Sequence, residues 1–232
     1  MAFKFVLSLG LLFIVCVPSL QAQDSSLVWQ YKEIQKGDRD VALAHYNRGL
    51  FLEMGEKHED AISHYQTALM LFPGFIEARN NLGAAYYNLG MMDDAVVELR
   101  RVIQAMPTHK AARYNLASTY FTQGRFKNAI HEYKAVLDTM PDSYDAQYYL
   151  GICYNQIGEF KLAVRTFETL LHEQQDNPDV SYQLATNLFA MRQMARALEF
   201  YERTLSMDPN YKYSTEIHTM IEAIHERGLA RK

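Results

Sequence analysis

The sequence predicts an all-α fold, a stack of short helix-turn-helix units with a capping helix at each end. Three observations carry the prediction. Chemically matched residues recur every 34 positions through most of the 232-residue chain. Within each interval apolar residues fall at threes and fours, the spacing that lines one face of a helix. Between 42 and 211 no stretch alternates in the way that marks a strand.

The chain opens on a targeting segment that stands apart from the fold. Lys4 gives a positive start, Phe5 to Val17 is apolar apart from Ser8 and Gly10, and Pro18 breaks the run. Leu20-Gln21-Ala22 then offers a small residue at a cleavage edge. This is the pattern of a secretory signal peptide over 1–22, with cleavage after Ala22. The run is shorter than the roughly 20 apolar residues a membrane-spanning helix needs. An uncleaved membrane anchor is the alternative.

Residues 23–41 extend the period backward. Leu27, Tyr31 and Ile34 stand 34 residues before Ala61, Tyr65 and Ala68. Their spacing of i, i+4, i+7 puts them on one helix face. Ser25 or Ser26 serves as a cap at the start and Gly37 at the end. The expectation is a lone helix over 26–36 that covers the open face of the first unit.

The unit itself is clearest over 76–109. Leu82, Gly83 and Tyr86 lie on a first helix that stops at Gly90. Asp93 and Asp94 open a second helix, in which Val96, Leu99, Val102 and Ile103 form a stripe. Pro107 closes it, because proline cannot continue a helix. Two helices this short cannot bury their apolar faces alone and need copies on either side. The copies keep register. Leu82 steps to Leu116, Leu150 and Leu184; Gly83 steps back to Gly49 and on to Ala117, Gly151 and Ala185. Leu99 steps back to Tyr65 and on to Tyr133, Phe167 and Tyr201. Gly90 steps to Gly124 and Gly158, and Pro107 to Pro73 and Pro141, with Pro209 two further steps on from Pro141. The small residues recur where helices must approach closely, and the large ones where a gap must be filled.

This order of large, small, aromatic and proline residues resembles the tetratricopeptide repeat family. The resemblance covers 42–211 as five units, 42–75, 76–109, 110–143, 144–177 and 178–211. It implies a right-handed superhelical stack with the first helices along a concave side. Four places depart from the pattern. Arg48 replaces leucine in the first unit, whose glycine, Gly55, is shifted by one residue. Gln175 replaces proline in the fourth unit, and Arg192 replaces the turn glycine in the fifth. A last helix over 212–232, with Tyr213, Ile217, Ile221 and Ile224 on one face, suits a terminal cap.

Composition is that of an ordinary globular protein, 49% hydrophobic with a formal net charge of -4. That balance argues against nucleic-acid binding, which wants a basic face. Arg100, Arg101 and the tail residues Arg227, Arg231 and Lys232 read as solvated surface. No phosphate loop, nucleophile elbow, zinc-binding helix or cysteine pair is present. His218, Glu222 and His225 share a face, but a stable metal site wants further ligands and a second shell. Cys153 is the one cysteine outside the leader, and it reads as a small buried hydrophobe. The sequence therefore points away from an enzyme and implies no cofactor or metal.

What remains is a binding surface. Asn47, Asn81 and Asn115 occupy one place in three successive units, followed by Tyr149 and Gln183. An amide carries both a donor and an acceptor, so a solvent-facing row can pair with an extended peptide backbone. The row is similar to the asparagine ladder of some members of the family. Tyr46, Tyr114, Tyr148 and Tyr182 precede it by one residue, and Tyr87, Phe121 and Phe189 form a further aromatic row. Some members grip a chain-end carboxylate with a basic clamp. Here Tyr46, Leu50, Ala111 and Asn115 stand at those places, so that mode is absent. The expected function is an exported, periplasmic or secreted scaffold that binds a peptide segment or partner protein. The alternative is a structural subunit that packs against copies of itself or an envelope complex.

Overall fold

The computed structural model describes residues 4–8, 11–15, 25–173 and 177–229. The expected cleavage edge at Ala22 and the departure at Gln175 lie outside the described residues. Two short strands, β1 (Lys4–Ser8) and β2 (Leu11–Val15), pair antiparallel with Lys4 opposite Val15. Everything else described is helical or turn.

The helices follow in antiparallel order: α1 (Ser25–Met54), α2 (His58–Leu71), α3 (Ile76–Asn88), α4 (Met92–Ala105), α5 (Lys110–Thr122), α6 (Phe126–Leu137), α7 (Tyr144–Gln156), α8 (Phe160–Glu173), α9 (Pro178–Ala190), α10 (Met194–Met207) and α11 (Ser214–Leu229). Each packs on the next, and the first helices α3 and α5, like α7 and α9, also touch. The result is an all-α superhelical stack of five helix pairs. α11 closes the C-terminal end with Ile217 and Ile224 buried.

The close approach inside each pair has one cause. The large residue of the second helix, in turn Tyr65, Leu99, Tyr133, Phe167 and Tyr201, lies buried against the small residue of the first. A Cβ added at Gly83 would stand 2.7 Å from Leu99 Cγ, and one at Gly151 2.6 Å from Phe167 Cζ. At Gly49 it would meet the Tyr65 ring. Those distances are shorter than carbon atoms tolerate, so the bare backbone there is what lets the two helices meet.

Side-chain ties to the preceding turn recur at the same period. The Arg79 guanidinium donates to Glu98 (2.7 Å) and to the Pro73 carbonyl of the preceding turn (2.9 Å). Arg113 repeats the arrangement one unit on with Glu132 (2.6 Å) and the Pro107 carbonyl (2.7 Å). Gln147 keeps only the carbonyl, that of Pro141, at 2.6 Å. In the first unit the equivalent places hold His45 and His64, whose Nδ1 atoms lie 2.9 Å apart. Where the fourth turn differs, Asn177 accepts from the Val180 N–H and Pro178 is the first helical residue of α9.

Two expectations need correction. Gly37 does not end a helix. α1 runs through it unbroken for 30 residues. Pro73, Pro107, Pro141 and Pro209 stand at this place in later turns, whereas Asp38, Arg39 and Asp40 leave the helix free to continue, and an internal glycine costs only about 1 kcal/mol. The separate helix over 26–36, folded back over the first unit, is therefore not formed. Nor does Gly55 take over the turn of the first unit. Glu56, in strict register with Gly90, Gly124 and Gly158, has φ 56°, and Arg192 has φ 61°.

All five tight turns thus need a left-handed residue, and the first and last supply it without glycine. A side chain there costs roughly 1–2 kcal/mol. Arg192→Gly is expected to stabilise the protein by about 1 kcal/mol once the extra unfolded-state freedom of glycine is subtracted, and Glu56→Gly by a similar amount. Urea unfolding checks this through a raised midpoint at constant slope. An unchanged or lowered midpoint for both variants would show that the left-handed turn is not what limits these units.

Candidate functional site

The first helices line the concave side, and between α3, α5 and α7 they leave a groove of about 350 Å³. Its floor is aromatic: Tyr87, Tyr114, Phe121, Tyr133 and Tyr149. Its polar lining comes from Asn88, Asn115, Ser118 and Thr122, and no charged residue lines it. Asn115, Ser118 and Thr122 stand at i, i+3 and i+7 of α5, so one helix face supplies them.

The rings brace one another. Phe121 meets Tyr149 edge-on at 5.3 Å, Tyr149 stacks on Tyr133 at 6.1 Å, and Tyr114 meets Tyr133 edge-on at 5.9 Å. Such offset and edge geometries suit the ring quadrupole. The Ser118 and Tyr133 hydroxyls pair at 3.3 Å, and those of Tyr87 and Thr122 at 3.2 Å. Burial pushes the Tyr114 phenol above its ordinary value. The Tyr114 phenol therefore stays neutral at physiological pH and serves as a hydrogen-bonding group, not as a base.

Of the residues singled out in the sequence, Tyr87, Tyr114, Asn115, Phe121 and Tyr149 meet in this groove. Asn47, Asn81, Tyr46, Tyr148 and Tyr182 do not line it. Asn47 is exposed on α1, away from it. Asn81 and Asn115 are half-buried and already engaged. The Asn81 amide donates to the Tyr46 hydroxyl (3.4 Å), the buried Asn80 donates to the Asn81 carbonyl (3.0 Å), and Asn115 donates to the Asn80 carbonyl (3.3 Å). The expected row of solvent-facing amides is instead a chain of side-chain bonds running across three units.

The tyrosine row is corrected in the same way. Tyr46, Tyr114, Tyr148 and Tyr182 each pack on the large residue of their own unit, Tyr65, Tyr133, Phe167 and Tyr201. Burial pushes the Tyr148 phenol up to about 12. Tyr182 is covered by the C-terminal cap, stacking on Tyr213 at 4.9 Å and donating to Glu216 at 3.0 Å. Only Tyr114 of this row reaches the groove. Asn88, Ser118 and Thr122 were missed, although the helical period from Asn81 and Asn115 leads directly to them.

Among the described residues no three His, Cys, Asp or Glu side chains are placed to hold a metal ion. The His218 ring instead binds the Ser214 carbonyl at 2.7 Å. No described helix is long and apolar enough to cross a membrane. Arg101, part of the candidate basic patch, is paired with Glu98 at 2.6 Å.

Comparison with known proteins agrees with this architecture. Tetratricopeptide repeat models match residues 76–109, 120–185 and 158–222, and a TPR repeat model matches 55–90, together more than half of the chain. The chain belongs to the tetratricopeptide repeat family. No curated protein matches it significantly. Among solved structures it is similar to the MamA protein, with TM-score 0.69 and 20% identity over 75% of this chain and 96% of that one. MamA from Desulfovibrio magneticus RS-1 gives TM-score 0.70 at 18% identity over 75% and 98%. YrrB, described as a TPR protein with an unusual peptide-binding site, gives 0.72 at 17% identity over 82% and 97%. At such identities the likeness is one of fold.

Cys153 lies fully buried on α7, and burial alone pushes its thiol up to about 12. At pH 8 the folded protein then holds almost no thiolate, the reactive form. A thiolate-specific reagent is expected to label Cys153 only at the rate of unfolding, and native stability should fall as pH rises above the ordinary thiol value of 9. Fast stoichiometric labelling of Cys153 in the native protein, located by mass spectrometry, would contradict this.

Proposed function

We propose that the protein is a non-catalytic scaffold that holds an extended, uncharged peptide segment of a partner protein across the groove between α3, α5 and α7. The observation that carries the reading is the groove's lining, five aromatic rings with amides and hydroxyls and no charge. Rings offer contact area at little entropic cost, and Asn115 and Asn88 can meet a peptide backbone whatever its sequence. The same lining gives nothing to neutralise a phosphate chain or a terminal carboxylate. The peptide-binding site in the description of YrrB supports the reading by likeness of fold.

Selection from a random-sequence peptide library provides a probe. The enriched peptides are expected to be uncharged, with aromatic or aliphatic residues. Phe121→Ala should weaken the selected peptide by roughly tenfold or more, as interface aromatics do. Asn115→Ala should weaken it by about two- to tenfold, the worth of one hydrogen bond. Asn47→Ala should change nothing. Calorimetry reads all three, and equal affinities throughout would place the binding surface elsewhere.

We further propose that the scaffold works in the periplasm or outside the cell. The support is the apolar run from Phe5 to Val17, the break at Pro18 and the small residue Ala22. Cleavage after Ala22 would leave a chain that starts at Gln23, two residues before α1. N-terminal sequencing of protein from its native host should read Gln23. A chain that keeps 1–22 and sediments with membranes would instead be anchored.

A further inference from the structure

The first unit exposes a face that every later unit covers. Ala78, Ala112, Ala146 and Val180 are fully buried against the unit before, as are Leu82, Leu116, Leu150 and Leu184 to within a few per cent. Their counterparts on α1 are Ala44 and Arg48, both exposed. One turn further on, Phe51 is 63% exposed where later units bury Ala85, Thr119, Cys153 and Asn187 completely. Val41, Leu43 and Met54 widen the apolar area. What this face lacks is a preceding second helix.

The chain carries such a helix but cannot lay it there. Leu27, Tyr31 and Ile34 have the register of a second helix, matching Ala61, Tyr65 and Ala68. They belong to the N-terminal half of α1, which continues without a break into the exposed half. One unbroken helix cannot fold back over its own face.

We propose that the missing helix comes from a second copy of this chain. Two α1 helices would lie antiparallel about a two-fold axis near Arg39, so that each N-terminal half covers the other's exposed face. The register is self-complementary. Setting Arg39 of one helix beside Asp40 of the other brings Tyr31 opposite Arg48, and Leu27 and Ile34 to within one residue of Phe51 and Ala44. Arg48 already sits over an aromatic ring, that of Phe51, at 5.2 Å, and Tyr31 gives it a second. Arg39 and Asp40 then meet their opposites across the axis. This is an isologous interface, closed at two copies. It lies at the end of the stack, away from the groove, so it stands independently of the peptide-binding reading.

Sedimentation velocity and cysteine crosslinking of the full chain test the proposal. The chain should sediment as a dimer at micromolar concentration. Phe51→Asp should raise the dimer dissociation constant by roughly tenfold or more, since the change falls on both copies. Helical circular dichroism should be unchanged, because Phe51 is exposed in the single chain. Arg39→Pro restores the turn proline of later units, lets 26–36 fold back, and should give a monomer. In a Cys16→Ser background, Leu27→Cys combined with Phe51→Cys should oxidise to a covalent dimer, while neither single change should. A monomer in sedimentation, or an oxidised species of single-chain mass from the double cysteine variant, would overturn the proposal, the latter by showing that the segment covers its own chain.

Discussion

The whole stack depends on one contact, a large side chain of each second helix set against the backbone of the first. Tyr65, Leu99, Tyr133, Phe167 and Tyr201 fill this place in turn, and the opposing residue is never larger than alanine. The contact sets how closely the two helices of a pair approach. Because each unit is built on the same contact, the first helices fall side by side and leave a concave wall. A side chain at Gly83 or Gly151 would overlap the opposing residue and wedge the pair apart, with the error repeated in the placement of every later unit.

The groove is a by-product of that contact, assembled from the faces it leaves over. The tyrosines of the first helices lean onto the large residues and are largely consumed by the interior. The next face round the helix, at Asn115, Ser118 and Thr122, stays open. No charged side chain lines the groove. Arg79 and Arg113 tie helix pairs to the preceding turns through Glu98, Glu132 and two proline carbonyls.

Much of this was legible in the residues. The 34-residue register located the units, the close-packed small residues and the left-handed turns, including the turn at Arg192 whose side chain argues against it. Part of the candidate groove was legible too, since Tyr87, Tyr114, Asn115, Phe121 and Tyr149 from the predicted rows line it. The failures share a physical cause. A repeat register tells which helix face a residue occupies but not what its neighbour in the next unit offers. Asn80 breaks the tyrosine row, and its amide turns two expected peptide-binding groups into a bonded chain with Tyr46. Tyr182 is hidden because α11 lies on it, which its own unit does not reveal. At Gly37 a residue-type rule for helix ends failed because the following Asp-Arg-Asp does nothing to turn the chain.

The two left-handed turns without glycine sit in the first and fifth units, and the three with glycine lie between them. In a quasi-one-dimensional array, stability is a sum of unit terms and nearest-neighbour terms. The strain is therefore concentrated at the ends, and the middle units form the most persistent cooperative block. Opening should begin at the termini and stop short of the centre, giving slowest amide exchange in α5 to α7. The groove lies within that block. Its shape is thus insulated from the fraying of the array, and a bound segment would be released by its own off-rate before the wall behind it came apart.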